Sequence, residues 1–381
     1  MDLTIDAKRL AKALQRAEGA VNRGGGFTVL ECVMVEAHDD GIRVSTSNMR
    51  LWYHETLLSD GVAETGTVCV DCRRLRDFAK AAPDGAQMRL RATGSATAVA
   101  LSAARGRARL PALPPGDFPK AHPERDPAHA ATLPGADLRD AIERVRPAVS
   151  TEESRYYLCG IYLHADEGGI RAVATNGHVL HTLRLDADTG RWDKGVIVPR
   201  EALDLIAKAC HEDGDVQIEG SGAGLRFSQG PRAVTTRLVD GVFPDYQRVI
   251  PPRTDTHLAV DGLALSAAVG RVTPFAGDAS RAVCCRAADR ALRIACRDED
   301  KIALDAVDLQ EAPGEMEDRM FNGAYLMAAL KAVGGEVRIG YAGATDPVRI
   351  DPLSARDAGT DVTCVVVPMR GGAFPEGLGE G

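Results

Sequence analysis

The sequence predicts an α+β chain of three similar domains, each with two helices packed on antiparallel strands. Two markers that recur in phase, together with a set of short alternating strands, carry that prediction. The first marker is a strand, a turn and an amphipathic helix: Thr4-Ile5-Asp6-Ala7-Lys8-Arg9-Leu10, then Thr132-Leu133-Pro134-Gly135-Ala136-Asp137-Leu138, then Ala259-Val260-Asp261-Gly262-Leu263-Ala264-Leu265. Its leucines Leu10, Leu138 and Leu265 stand 128 and 127 residues apart. The second marker, Val68-Cys69-Val70-Asp71 before Leu75, is echoed by Val196-Ile197-Val198-Pro199 before Leu203 and by Met320-Phe321-Asn322 before Leu326, at spacings of 128 and 123. A period this long belongs to repeated domains and not to a solenoid.

Within each repeat the strands are short. Gly41–Thr46, Gly169–Ala174 and Ala291–Cys296 all alternate after a glycine or small-residue turn, as hairpin strands of an antiparallel sheet do. Proline marks the joints: Leu113-Pro114-Pro115-Gly116-Asp117-Phe118-Pro119 closes the first domain and Ile250-Pro251-Pro252-Arg253 the second. The expected domains are therefore residues 1–128, 129–252 and 253–381. Near the C-terminus the run Cys364-Val365-Val366-Val367 reads as a buried strand that Pro368 ends, before Met369 and Arg370. Residues 371–381 are glycine-rich and are expected to be a flexible tail, with Phe374 and Leu378 able to visit a nearby apolar groove and weaken ligand binding there.

Composition narrows the functional classes. Apolar residues make up 45% and charged residues 26% of the 381, which is ordinary for a soluble protein, and no apolar run approaches a membrane span. The first six residues show neither the basic region nor the apolar run of a signal peptide, so a cytoplasmic protein is expected. Nine irregularly spaced cysteines fit a reducing compartment, and Cys69-Val70-Asp71-Cys72 lacks a second pair to complete a zinc site; Cys69 reads as a packing residue. Neither a metal nor another cofactor is expected. The glycine-rich Gly220-Ser221-Gly222-Ala223-Gly224 fits no nucleophile elbow and no dinucleotide fingerprint, and reads as a hairpin turn.

A net charge of −8 argues against uniform attraction to nucleic acid. Yet the first helix carries Lys8, Arg9, Lys12 and Arg16, the second Arg73, Arg74, Arg76 and Lys80, and the third Arg139, Arg144 and Arg146. For one helix a solvated face is the simpler reading; repetition on several favours one basic surface on an acidic protein.

Four segments then come together: Thr151-Glu152-Glu153-Ser154-Arg155-Tyr156-Tyr157-Leu158-Cys159-Gly160-Ile161, Ala174-Thr175-Asn176-Gly177-His178-Val179-Leu180, Gly241-Val242-Phe243-Pro244-Asp245-Tyr246-Gln247-Arg248-Val249-Ile250-Pro251, and the last strand through Met369-Arg370. With the threefold repeat they resemble the bacterial DNA polymerase III β subunit family, the DNA sliding clamps, over about residues 1 to 370. The resemblance implies a DNA-clamp fold in which two chains close head to tail into a ring around double-stranded DNA, with helices lining the hole and sheets outside. It implies a processivity factor of DNA replication with no catalysis of its own, a homodimer whose partners are the replicative polymerase α subunit, the clamp loader, translesion polymerases, mismatch-repair proteins and ligase, and no membrane.

By the same resemblance, DNA would meet Arg23, Arg73, Arg74, Arg155, Tyr156, Arg200 and Arg281. A partner peptide would lie on Leu158, Thr175, Gly177, His178, Leu180, Pro244, Arg248, Val249, Val365, Val367, Pro368, Met369 and Arg370, with Arg155 and Tyr157 at the edge. The lone His178 beside Asn176 reads more readily as a hydrogen-bonded turn residue than as a catalytic base, since the sequence places no nucleophile to partner it. Strict alternation places Arg105, Arg107 and Arg109 on one face of an edge strand beside Leu110, and Asp298, Glu299 and Asp300 offer the opposite charge for the dimer contact; charges that only keep an edge from aggregating are the plainer alternative. The family usually has aspartate and then arginine where this chain has Asn176 and Val179, and asparagine where it has Cys159. A diverged clamp paralogue with altered peptide specificity is the alternative that these departures leave.

Overall fold

The computed structural model describes residues 1–22, 24, 28–92, 97–121, 128–210, 213–277, 281–311, 316–343, 345–353, 361–371 and 373–375. Six α-helices occur among them: α1 (Ala7–Ala17), α2 (Cys72–Ala81), α3 (Gly135–Val145), α4 (Arg200–Ala209), α5 (Gly262–Val272) and α6 (Gly323–Val333). Each follows directly on a strand, respectively Asp2–Asp6, Gly66–Asp71, His129–Pro134, Val196–Pro199, His257–Asp261 and Met316–Asn322. The same local chemistry starts four of them. The side chains of Asp6, Asp71, Asp261 and Asn322 accept hydrogen bonds from backbone N–H groups of the first helical turn, a cap that contributes about 1 kcal/mol each. The six leucines that mark the sequence period, Leu10, Leu75, Leu138, Leu203, Leu265 and Leu326, are all buried.

Compact packing divides the chain in two. One unit comprises Met1–Arg139, Asp188–Asp193 and Glu201–Leu238, the other Asp140–Ala187, Lys194–Arg200 and Val239–Gly381. The first unit is built on a single 14-stranded sheet that runs from Asp188–Trp192 at one edge to Gly61–Glu64 at the other. Its continuity rests on the antiparallel pairing of Leu51–Leu58 with Arg232–Arg237, which sets Glu55 opposite Arg232 and Tyr53 opposite Val234. The second unit holds an eight-stranded sheet, in which Val179–Asp186 pairs with Val362–Val366, and a four-stranded sheet edged by Lys301–Asp308 and Met316–Asn322. The middle third of the sequence thus shares sheets with segments on either side, and for that reason the sequence repeat and the compact units divide the chain differently.

Buried polar groups are concentrated where strands from distant segments meet. In the first unit the Glu55 carboxylate, 2% exposed, accepts from Arg16 at 2.6 and 3.1 Å, from the Tyr53 hydroxyl at 2.6 Å and from Arg232 at 3.1 Å. Burial alone would raise the Glu55 pKa; the hydrogen bonds from Arg16 and Tyr53 outweigh it and hold the group below its ordinary range. Arg16 therefore points into the unit and does not join a basic helix face, and Arg76 likewise pairs with Glu18. Cys69 and Cys72 are buried, and burial pushes both thiols up to about 12, as packing cysteines require. Gly220 and Gly224 flank the turn between strands Asp215–Gly220 and Gly224–Gln229, the hairpin expected there.

Candidate peptide groove and charged edges

The groove of the second unit begins as a local turn. Asn176 Oδ1 accepts from the N–H groups of His178 and Val179 at 2.9 and 3.0 Å, and Thr175 Oγ1 spans the same turn to the Val179 carbonyl at 2.7 Å. Asn176 supplies the Asx-type turn that any short side-chain carbonyl can supply, so this departure from the family pattern keeps the backbone shape. Gly177 has φ +89°, and a Cβ there would stand 2.8 Å from the Arg155 guanidinium. The positive φ favours glycine, and any side chain there would also have to displace the Arg155 guanidinium. Arg155 is held in turn by Glu152 at 2.7 Å, and Cys159 donates its thiol to the Glu152 carbonyl at 3.3 Å.

Beyond the turn, Thr175 faces Leu180 across the hairpin, and Leu180 faces Val365 in the next strand. Leu158, Leu180 and Val365 share one buried cluster with Phe243 and Tyr246. Phe243 stacks on Tyr162 at 4.7 Å, while the Tyr246 hydroxyl lies 2.9 Å from His164 Nε2, so the loop carrying Pro244, Arg248 and Val249 is pinned at two aromatic residues. Arg248 makes no ion pair among the described residues and is exposed.

The last strand forms the remaining wall. The Val367 N–H donates to the His178 carbonyl at 2.9 Å, and the Met369 N–H donates to the Met320 carbonyl at 2.7 Å. Pro368 stands between these two bonds and Arg370 is exposed after them. His178 is itself exposed, with its ring stacked on Tyr325 at 6.1 Å; it serves the turn and the wall, and no nucleophile partners it among the described residues. Tyr325, 147 residues further along, was not legible as its neighbour. Leu158, Leu180 and Val365 are only 5, 2 and 3% exposed, whereas Val249, Val367 and Met369, on the segments that flank this cluster in sequence, are 56, 38 and 36% exposed.

Two expectations about the C-terminus are corrected here. Phe374 is buried against Cys284, Ala295 and Met320 of the four-stranded sheet, and so is neither free nor in the groove. Its N–H donates to Asp318 Oδ2 at 2.9 Å, and the Arg286 guanidinium, 4.8 Å above its ring, pairs with the same carboxylate at 2.6 Å. The Arg286 hydrogen bond holds Asp318 below the usual carboxylate range. An aromatic ring meeting an apolar sheet beneath a cation gains enough to seat Phe374 there. Leu378 lies outside the described residues.

The proposed DNA contacts are mostly exposed. Arg73, Arg74, Arg200 and Arg281 face solvent, and Tyr156 is 53% exposed. Arg73 and Arg74 sit near Asp77 and Asp71 at 3.8 Å, loose surface pairs that phosphate can displace. Arg155, by contrast, is half-buried in the turn just described, and Arg23 lies outside the described residues.

At the proposed dimer edges, Arg107 and Arg109 lie on the strand Gly106–Leu113 and are exposed. Arg105 does not share that face: it occupies the hairpin turn that precedes the strand. Leu110 points the other way, into the core, as the pleat demands of the residue beside Arg109. The strand pairs with Ala98–Ala103 along its length, but on its other side meets Gly66–Asp71 only at Ala112 and Leu113, so its first half is an open edge. Lys301–Asp308 is likewise an edge strand, with Leu304 44% exposed and Asp298, Glu299 and Asp300 leading into it.

Residues 1–122, 132–245 and 247–370 match the N-terminal, central and C-terminal domains of the DNA polymerase III beta subunit. The chain is 31% identical to the beta sliding clamp of Caulobacter vibrioides over 382 aligned residues, covering 97% of this chain and 100% of the relative. The solved sliding clamp of Bartonella birtlesii, bound to griselimycin, is 30% identical with a TM-score of 0.88, covering 97% of this chain and 99% of that one. That of Pseudomonas aeruginosa, also bound to griselimycin, is 28% identical with a TM-score of 0.90 over the same shares.

Proposed function

Because the chain belongs to the DNA polymerase III beta subunit family, the beta sliding clamps, we propose that it closes as a head-to-tail homodimer around duplex DNA and holds the replicative polymerase through the groove at Val249, Val367 and Met369. The observation that carries this reading is the groove itself. Four segments far apart in the chain converge on one small apolar surface, with backbone hydrogen bonds fixing its wall at Val367 and Met369. Such a surface suits an extended peptide with apolar anchors, and a few desolvated contacts can supply most of the affinity.

The clamp does no chemistry in this reading. A closed ring retains DNA by topology, so weak phosphate contacts at Arg73, Arg74, Arg155, Tyr156, Arg200 and Arg281, with Arg23 beside them, let it slide while the polymerase stays attached. Three domains, 1–128, 129–252 and 253–381, would form each half of the ring, an arrangement the three matched family domains support. The same groove would serve the clamp loader, translesion polymerases, mismatch-repair proteins and ligase in turn. A cytoplasmic site of action accords with the absence, among the described residues, of any helix long and apolar enough to cross a membrane. The seated Phe374, on a segment beyond the last matched residue, favours as second reading a diverged clamp with altered peptide preference.

Ring closure would join the open edge at Arg107 and Arg109 to the edge strand after Asp298, Glu299 and Asp300 of a second copy. Sedimentation of the full chain at micromolar concentration is expected to show a dimer, and an Arg107→Glu, Arg109→Glu double variant a monomer. A strictly monomeric parent chain contradicts the closed ring.

A further inference from the structure

The first unit holds a second cleft, on the sheet face turned away from α1. By the alternation of the pleat, Tyr53 and Glu55 face Arg16 of that helix, while Trp52, His54 and Thr56 face the other way. Here a cavity of about 1190 Å³ crosses strands Gly41–Ser47, Leu51–Leu58, Arg232–Arg237 and Gly224–Gln229. The segment at Phe118 and Pro119 bounds it; Trp52 Nε1 donates to the Pro119 carbonyl at 3.2 Å, and Phe118 is buried against Cys32, Met34 and Cys69.

Charge is unevenly placed in this cleft. His54 lies in its floor, with Nδ1 2.8 Å from Ser45 Oγ and Ala233 as its neighbour in the next strand. Burial first, then the nearby charges of Arg226 and Arg43, push the His54 pKa down to about 4, so the ring is neutral at pH 7 between two cations. Neither guanidinium makes an ion pair or side-chain hydrogen bond among the described residues, although Glu36 and Glu219 are their cross-strand neighbours. Beside Arg226, the buried Thr235 hydroxyl has no hydrogen-bond partner among the described residues. At the lip Met49 is 51% exposed and held at φ +69°, an unfavourable conformation for a residue with a side chain.

We propose that this cleft is a second docking site, which takes an extended protein segment with an acidic side chain between Arg43 and Arg226 and an apolar one on Met49. A carboxylate beside His54 would lie in the field of both guanidinium groups, neither of which has an ion-pair partner among the described residues. Glu36 and Glu219 lie across from the two arginines, while Lys120 and Arg237 add positive charge to the lining, so cations outnumber carboxylates and an acidic side chain is drawn in. The apolar lining at Met34, Met49, Trp52 and Phe118 favours a peptide with apolar residues over nucleic acid. Two grooves on one chain would let a partner hold on by one contact while the other exchanges.

The test uses the full chain with labelled histidine rings, observed by NMR. The probe is acetyl-Lys-Leu-Asp-Glu-Leu-Lys-amide, compared with the same peptide carrying Lys-Lys in place of Asp-Glu and with a twelve-nucleotide oligothymidine. The acidic peptide is expected to bind saturably and to move the His54 resonance. An Arg43→Ser, Arg226→Ser double variant with an unchanged melting temperature should lose at least tenfold in affinity; single variants serve if the double one does not fold. The proposal is overturned if the His54 ring does not respond in the parent chain, if the double variant binds equally well, or if only the oligonucleotide moves the ring.

Discussion

Ending the chain at Val366 is expected to lower its affinity for a peptide derived from the replicative polymerase on the order of 100-fold, the loss that follows when central anchors of a small interface are removed. The truncation deletes Val367 and Met369, two of the three exposed apolar anchors, together with the hydrogen bonds that tie them to His178 and Met320. Leu158, Leu180 and Val365 stay in place, but they are nearly covered and offer little to a ligand by themselves. Ending the chain instead at Arg370 separates the wall from the tail. It leaves both hydrogen bonds and removes Phe374, and because that ring sits on Cys284, Ala295 and Met320, no gain in peptide affinity is expected. Titration of a fluorescent peptide against the three chains measures both effects. Unchanged affinity on truncation at Val366 would mean that the peptide binds elsewhere.

Replacing Glu55 by alanine destabilises the first unit by roughly 3–5 kcal/mol, the cost of stranding buried cations without their partner. Arg16 and Arg232 both converge on this carboxylate, and Arg232 belongs to the strand whose pairing with Leu51–Leu58 makes the sheet continuous. The pH dependence follows from the depressed pKa. Unfolded chains bind a proton to Glu55 near its ordinary value of 4.5, folded ones only at lower pH. Stability from this group is therefore fully present above about 4.5 and is lost as the pH falls through the lower folded value. In urea titrations, the gap between the parent chain and Glu55→Gln should be constant from pH 6 to 8 and shrink below pH 4. A gap that stays constant throughout would show that the carboxylate charge does not matter there.

These two sites differ in how far the sequence reveals them. The helix starts and the six period leucines are local patterns: a capping side chain, then apolar residues one helical face apart, each determined within about ten residues. The turn at Thr175–Gly177 and the strand at Val365 were legible too, as short motifs with their own turn and strand chemistry; their assignment to a peptide groove came from the family resemblance. What the sequence hides is which way a long side chain points. Arg16 stands among Lys8, Arg9 and Lys12 in the sequence, yet it alone turns inward to Glu55, a residue 39 positions away that only the sheet brings near. Arg105 continues the alternation of Arg107 and Arg109, but the hairpin closes one residue earlier. Phe374 is surrounded by glycines and proline, and its binding surface is made by three strands that local composition cannot foresee. The cleft at His54 was invisible for the same reason: Arg43, His54 and Arg226 come from three strands and span 183 residues.

The charge pattern also changes in meaning. As a sequence, the basic helices suggest one continuous face; in the folded chain Arg16, Arg76 and Arg144 are engaged with Glu55, Glu18 and Asp140. Fewer cations remain free to meet phosphate, and in the proposed function it is encirclement that supplies the retention. Retention on nicked circular duplex DNA after loading by a clamp loader tests that most directly. The closed-ring account predicts that the protein stays on the circle at moderate salt and leaves promptly once the DNA is linearised. Equal retention on circular and linear DNA would contradict it.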